Sequence, residues 1–476
     1  MSIWIPEYKW QIFFVTGLAS IVSGLAISSL NIAMPVMAEE FGVSMAAISR
    51  LSLVYSIIPS CTLLVFGRMA DLFGYKRQFI GGFLLFGLSS LLLPLLATGL
   101  AGAVLFRCFQ GIGYAMMISI TQALCNKTFP ASERGKALGI NSVFVSIGLA
   151  LGPSVGGLLI SRFSWHSIFF FNIPFCILGV IVSAAILKKE KHAPASLRQM
   201  DWLGSLFFAI SVGLFTLGIN FSAEWGFLSA GFFGCTIIGL ISLFLFIRRE
   251  SRVNMPLMKL TLFRNRTFTC ANVASFCSYF LQQMTSFLVP FFLINIMLLS
   301  QSNSGFVMLA APSAMVLLSP IGGSFSDRYG SKRPALAGLC MIALGCVIMS
   351  EMADITPLAI VIIGLFLYGV GNSFSVAAIN ASIFSAVPRE ESGVASGMVA
   401  TVRNIGQALG VAFGGTLMAM RQNFYLTHAV HGSSGTLSES GIYMAAQRDT
   451  FYFGLLIVAI AVACIILIPG RNIESE

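Results

Sequence analysis

Two arginines, Arg107 and Arg403, stand inside long apolar runs of this 476-residue chain. A guanidinium carries five N–H donors and a permanent charge, so within a membrane it faces a cavity or a partner. It can bind an anionic or electron-rich group, or act as a switch by changing partners. Carboxylates are its natural counter-charges. The chain holds only five aspartates and thirteen glutamates, and none falls in the middle of an apolar run. Glu351 and Asp354 sit in a gap between runs, Asp201 opens one, and His166 stands at the start of another. Gln110, Gly111, Tyr114 and Thr121 share a helical stripe with Arg107. Further polar candidates are Tyr279, Gln282, Gln283 and Ser286, then Tyr368, Asn372 and Ser375, and the amides Asn31, Asn141 and Gln407. Amides and aromatics around a wide apolar cavity suit a large, partly polar ligand. Any one of them could equally make a helix–helix hydrogen bond. No cluster of His, Cys, Asp or Glu offers a nucleophile, a base or a metal site, so an enzyme is excluded and neither cofactor nor metal is expected.

The elements that position these residues are membrane helices. The chain is 57% hydrophobic and only 10% charged, with a mean hydropathy of +0.89, whereas a soluble domain is about a quarter charged. Fourteen apolar stretches, from 11–34 to 450–469, each approach the ~20 residues that cross a bilayer. No cleavage site follows the first, so it is expected to remain as a helix. The net charge of +10 resides in short gaps between the stretches, which argues topology rather than nucleic-acid binding. Lys9, Arg68, Lys76, Arg77, Lys127, Arg134, Lys136, Lys189, Lys191, Arg198, Arg328, Lys332, Arg333 and Arg471 fall on one side, against Arg50, Arg162, Arg421 and Arg448 on the other. Both termini are therefore expected in the cytoplasm. The segment 421–449, rich in Gly, Ser and His, is expected as a long external loop. The ten cysteines show no CxxC spacing and read as packing residues.

The chain is duplicated. Gly67, Asp71, Gly74, Lys76 and Arg77 return at identical spacing as Gly323, Asp327, Gly330, Lys332 and Arg333. Pro130, Glu133, Gly135, Ala137 and Gly139 return as Pro388, Glu391, Gly393, Ala395 and Gly397, and Gly148, Gly152, Gly156 and Gly157 as Gly406, Gly410, Gly414 and Gly415. Stretches 2–5 thus repeat as 10–13. The expected fold is an all-α polytopic membrane protein with a six-helix half in 1–200, an inserted helix pair in 201–250 and a second six-helix half in 251–476. In the repeated turn, Asp71 at a helix end can face a helix N-terminus and latch the halves together. Glycines four apart in stretch 5 provide a close-packing face, with Pro153 as a kink point; they suit either packing alone or a rocking contact between halves.

These residues resemble the major facilitator superfamily, in its fourteen-helix drug:proton antiporter branch. The turn from Gly67 to Arg77 is similar to that superfamily's loop 2–3 motif. Leu105, Arg107, Gln110, Gly111 and Gly113 are similar to its helix 4 motif, and Gly148, Gly152, Pro153, Gly156 and Gly157 to the helix 5 motif of its antiporters. Asn31 to Pro35 match the branch's helix 1 ending, and Trp165, Phe169, Asn172 and Pro174 its helix 6 entry. The resemblance implies a proton-coupled exporter of amphipathic small organic molecules in the bacterial cytoplasmic membrane. The partners are then a small-molecule substrate, a proton and lipid, with a monomeric protein. It also implies that helices 1, 4, 9 and 12 face the cavity with 2, 5, 10 and 13 behind. One departure matters. The branch usually carries Asp in helix 1 where this chain has Ala26. Neutral or anionic substrates are therefore expected over cationic ones, and a proton would have to use Asp71, Asp327, Glu133 or the substrate itself. An organic-anion importer, an uncoupled facilitator and a transport-inactive sensor are the alternatives; a channel would not need two matching halves with latches.

Overall fold

The computed structural model describes residues 7–130, 133–188, 200–226, 229–253, 255–353, 355–431 and 438–469. Lys189, Lys191, Arg198, Asp354 and Arg471 lie outside them, as does the middle of the expected external loop. Long helices follow in chain order: α1 (Tyr8–Glu40), α2 (Arg50–Phe73), α3 (Tyr75–Leu96), α4 (Leu100–Thr128), α5 (Arg134–Arg162) and α6 (His166–Ile186). Then come α7 (Trp202–Trp225), α8 (Ala230–Glu250), α9 (Arg266–Asn295), α10 (Ala310–Tyr329), α11 (Lys332–Ser350), α12 (Leu358–Ser385), α13 (Ser392–His431) and α14 (Glu439–Leu467). Helices are the form in which an apolar segment satisfies its own backbone polar groups in lipid. Among the described residues, thirteen helices are long and apolar enough to cross a membrane. The helix that falls short is α13, whose run is interrupted by Arg403, Asn404 and Gln407.

The turns are set by backbone chemistry. Gly74 at φ 96° stops α2 and starts α3 at once, and Gly330 at φ 76° separates α10 from α11. A side chain is strained at such angles, so glycine is needed at both. Each turn is then fixed by its lysine. Lys76 Nζ donates to the Ala184 carbonyl at the end of α6 at 2.5 Å. Lys332 Nζ donates to the carbonyls of Ile466 and Ile468 at the end of α14 at 2.7 and 2.8 Å. Unpaired carbonyls at a helix C-terminus favour a cation.

Packing repeats with the sequence. The pairs α1–α5, α2–α4, α3–α4 and α3–α6 recur as α9–α13, α10–α12, α11–α12 and α11–α14. The two six-helix groups are joined chiefly by the α2–α13 and α5–α10 crossings, with α4–α13 and α5–α12 beside them. Of the inserted pair, α7 lies on α2 and α13 and carries α8, whose Ile237, Ile241 and Phe244 are exposed as a lipid-facing surface. The two inserted helices are tied to each other at one end by Arg249 Nε, 2.7 Å from the buried Asp201 carboxylate.

The expected loop at 421–449 is corrected. Helix α13 runs on to His431 and α14 begins at Glu439. Arg421 and Tyr425 lie one turn apart, and both reach the Asp449 carboxylate, at 2.6 and 2.7 Å. That shared acceptor joins the two helical extensions, which composition alone reads as loop.

Candidate functional site

A cavity of about 1000 Å³ lies between the two six-helix groups. On α1 its wall is Ser20, Ser23, Gly24, Ile27, Ser28 and Asn31; on α13 it runs from Arg403 to Asn423. Tyr55 and Tyr114, from α2 and α4, also line it. These positions reach from mid-bundle toward the end opposite Asp71 and Asp327. Its polar groups are hydroxyls and amides, with Arg403 as the charged side chain. No carboxylate appears among the lining residues described.

Five expected cavity residues are in the lining: Asn31, Tyr114, Gln283, Arg403 and Gln407. Arg107, Gln110, Tyr279, Gln282, Tyr368 and Asn372 are not among them. Helix α13 is a principal wall rather than a supporting helix, and α12 contributes no described lining residue. The polar side of α12 is buried away from the cavity: Asn372 Nδ2 donates to the Tyr368 carbonyl at 3.1 Å, while Asn372 Oδ1 and Ser375 Oγ are buried without hydrogen-bond partners among the described residues. Ser20, Ser23, Ser28, Ser52, Ser56, Asn220, Asn404, Thr416 and Asn423 are lining residues that sequence reasoning missed. The serines of α1 carried a signal, since Ser20, Ser23, Ser28 and Asn31 fall on one helical stripe. Asn220 carried none, because nothing local places the inserted helix beside the cavity.

Arg107 is a packed residue. Its side chain is 1% exposed, donates to Gln110 Oε1, and lies 4.0 Å from the Tyr55 ring centroid. A longer bond of 3.5 Å reaches the Ala26 carbonyl, at the very position where a helix 1 carboxylate was expected. Gln110 in turn donates to Ser90 Oγ at 2.7 Å. The arginine thus depends on an amide, a carbonyl and an aromatic face.

At the basic end the groups are joined by two equivalent contacts. Asp71 accepts from the backbone N–H of Gly393 and Val394, both at 2.9 Å, at the start of α13; Tyr75 donates to the same carboxylate. Asp327 accepts from Gly135 and Lys136, at 2.6 and 2.9 Å, at the start of α5. Unpaired N–H groups at a helix N-terminus make such a carboxylate site. Glycine permits the approach: a Cβ on Gly393 would strike the Gly67 carbonyl, and one on Gly139 the Ser319 carbonyl. Around them, Lys9 pairs with Glu133 at 3.0 Å, and Lys259 with Glu391 at 2.6 Å. Arg77 and Arg333 are exposed beside the turns.

The helix 5 glycines have a different place from the rocking contact considered above. A Cβ on Gly148 would meet Ile21 and Gly24, and one on Gly152 would overlap Ser28, all on α1 of the same group. Gly156 faces Ser29, and Gly157 faces open space. The helix continues through position 153; the Pro153 side chain is outside what is described. Gly406 and Gly410 seat α13 on α9 in the same way, against Phe276 and Phe280.

Comparison with known proteins gives this geometry a family. The Riboflavin transporter RibZ of Clostridioides difficile is 31% identical over 451 residues, spanning 95% of this chain and 97% of its own length. The Multidrug resistance protein Stp of Mycobacterium tuberculosis is 31% identical over 406 residues, 85% of this chain and 75% of its own. The Multidrug transporter protein MdtP of Bacillus subtilis is 26% identical over 93% of this chain and 82% of its own. The crystal structure of the human organic anion transporter MFSD10 superposes with a TM-score of 0.66 over 95% of this chain and all of that one, at 14% identity, and so shares the fold. The Major Facilitator Superfamily profile matches residues 16–263, 200–411 and 271–468. The chain is a member of the Major Facilitator Superfamily: a multi-pass membrane protein and secondary transporter, not an enzyme.

Proposed function

We propose that this transporter moves neutral or anionic amphipathic organic molecules by alternating access, in preference to organic cations. The observation that carries the reading is the cavity of about 1000 Å³, which presents hydroxyls, amides and one guanidinium, without a carboxylate among its described lining residues. A bound cation would lose its hydration with no counter-charge to replace it, at a cost of several kcal/mol. The distribution of basic residues makes the Asp71 and Asp327 end cytoplasmic, so the cavity belongs to an outward-facing state with the cytoplasmic latches made. Asp71 and Asp327 are also candidate proton carriers. A protonated carboxyl accepts poorly from two N–H groups, so protonation would favour release of the latch. Export is the direction suggested by a relative named for multidrug resistance. Transport of a riboflavin-like solute is the second reading, favoured by the relative that matches 95% of this chain.

Proteoliposome uptake tests the reading with fluorescein as anion, rhodamine 123 as cation of similar shape, and riboflavin as neutral probe, each with and without an imposed pH gradient. Faster movement of fluorescein or riboflavin than of rhodamine 123 is expected. Preferential, gradient-driven movement of rhodamine 123 would overturn it.

A further inference from the structure

We propose that Arg403 is the docking point for an acidic group of the transported molecule, and that this group, on binding, displaces the Tyr114 hydroxyl. The inference rests on the reading that the cavity holds the substrate, and it names the atom that recognises it.

Arg403 is half-buried on the α13 wall. Its guanidinium donates to Tyr114 Oη from Nη2, at 3.3 Å. This is a long bond to a neutral oxygen, and it leaves most of the five donors to water or a ligand. Behind the cavity wall, nearer the end opposite Asp71, lies a second cation. The Tyr114 and Tyr55 rings are 5.4 Å apart at 40°, and Arg107 stacks on Tyr55 at 4.0 Å. Arg107 Nε and Tyr55 Oη are buried without hydrogen-bond partners. The sequence of groups from the cavity inward is therefore guanidinium, phenol, phenol, guanidinium, with no carboxylate among the described contacts. Two positive charges in a low-dielectric setting give this side of the cavity a positive potential. An anion at Arg403 gains from both, and a cation is repelled by both.

The displacement follows from bond strength and placement. A carboxylate, sulfonate or phosphate accepts two parallel N–H bonds from a guanidinium, in a geometry that a phenol oxygen cannot match. Tyr114 belongs to α4 and Arg403 to α13, so their bond spans the two six-helix groups inside the cavity. A ligand that captures Arg403 removes that cross-link. Tyr55, Tyr114 and Phe287 offer aromatic faces to the body of the same molecule. The chemical class is thus an aromatic or amphipathic organic anion.

Binding is measured by fluorescence anisotropy, with fluorescein and rhodamine 123, on protein in phosphatidylcholine nanodiscs at mildly alkaline pH. The zwitterionic lipid supplies no anionic headgroup to compete. Arg403→Gln should weaken fluorescein at least tenfold, Arg403→Lys, which keeps the charge but not the paired donors, should weaken it less, and neither should weaken rhodamine 123. Tyr114→Phe, which removes the competing hydroxyl, should bind fluorescein equally or more tightly. Thermal unfolding establishes that each variant is folded. Unchanged fluorescein affinity in folded Arg403→Gln overturns the docking point, and a tenfold loss in Tyr114→Phe overturns displacement. In either case wild-type preference for fluorescein or riboflavin in uptake leaves the broader carrier reading standing; wild-type preference for rhodamine 123 overturns that reading itself.

Discussion

Arg107 and Arg403 look alike in the sequence, each a lone charge in an apolar run, and the structure gives them separate work. Arg107 is sealed beneath Tyr55 and held by Gln110, whereas Arg403 lines the cavity. The cost of burying a guanidinium is offset only while its few polar partners remain. Gln110→Leu should therefore destabilise the protein by about 3 kcal/mol, since it leaves Arg107 with a distant carbonyl and a ring. A clear fall in thermal midpoint in detergent checks this. An unchanged midpoint would mean that water or lipid replaces the amide.

At the scale of helices, glycine placement decides which surfaces meet most closely. Gly148, Gly152 and Gly156 seat α5 on α1 within one group, while Gly135 and Gly139 at the other end of α5 cross to α10. The same helix thus packs within its group along one stretch and across the groups along another. A Cβ on Gly135 would lie 2.8 Å from Asp327 Oδ1 and against the Gly323 carbonyl at 2.5 Å. Gly135→Ala should push the α5–α10 crossing apart and favour the state open at the basic end. Spin labels in place of the exposed Arg77 and Arg333, with exposed Cys340 replaced by serine, should report a longer distance than in the parent. Equal distance distributions would count against a crossing that works as a closure. The sequence displayed the glycine repeats, but a stripe of small residues does not say which neighbour it meets.

For the whole molecule, the basic end is held shut in this state by two carboxylates making equivalent contacts. Each bond from a backbone N–H to a charged acceptor contributes about 1.5–3 kcal/mol, and Asp71 and Asp327 each accept two. Asp71→Asn should lower hydrogen-exchange protection around residues 393–397 by at least tenfold, and Asp327→Asn that around 135–139. The double variant should populate the state open at the basic end. Retained protection at both helix starts would show that the remaining contacts suffice to hold the closure.

The helical class, the number of apolar stretches, the duplication and the repeated turns are legible in the chain, because they follow from local hydropathy and from glycine, aspartate and lysine at fixed spacing. The partners of Asp71 and Asp327 were not: Gly135 and Gly393 stood out as a repeated motif, and folding set them opposite the two carboxylates. Folding also chose which polar side chains face the cavity. A helix in a bundle meets several neighbours at once, and periodicity defines a face without naming what lies opposite. Hence the polar residues of α12 proved internal, α13 became a wall, the inserted α7 supplied Asn220, and one of two similar arginines was packed away while the other stayed on the cavity wall.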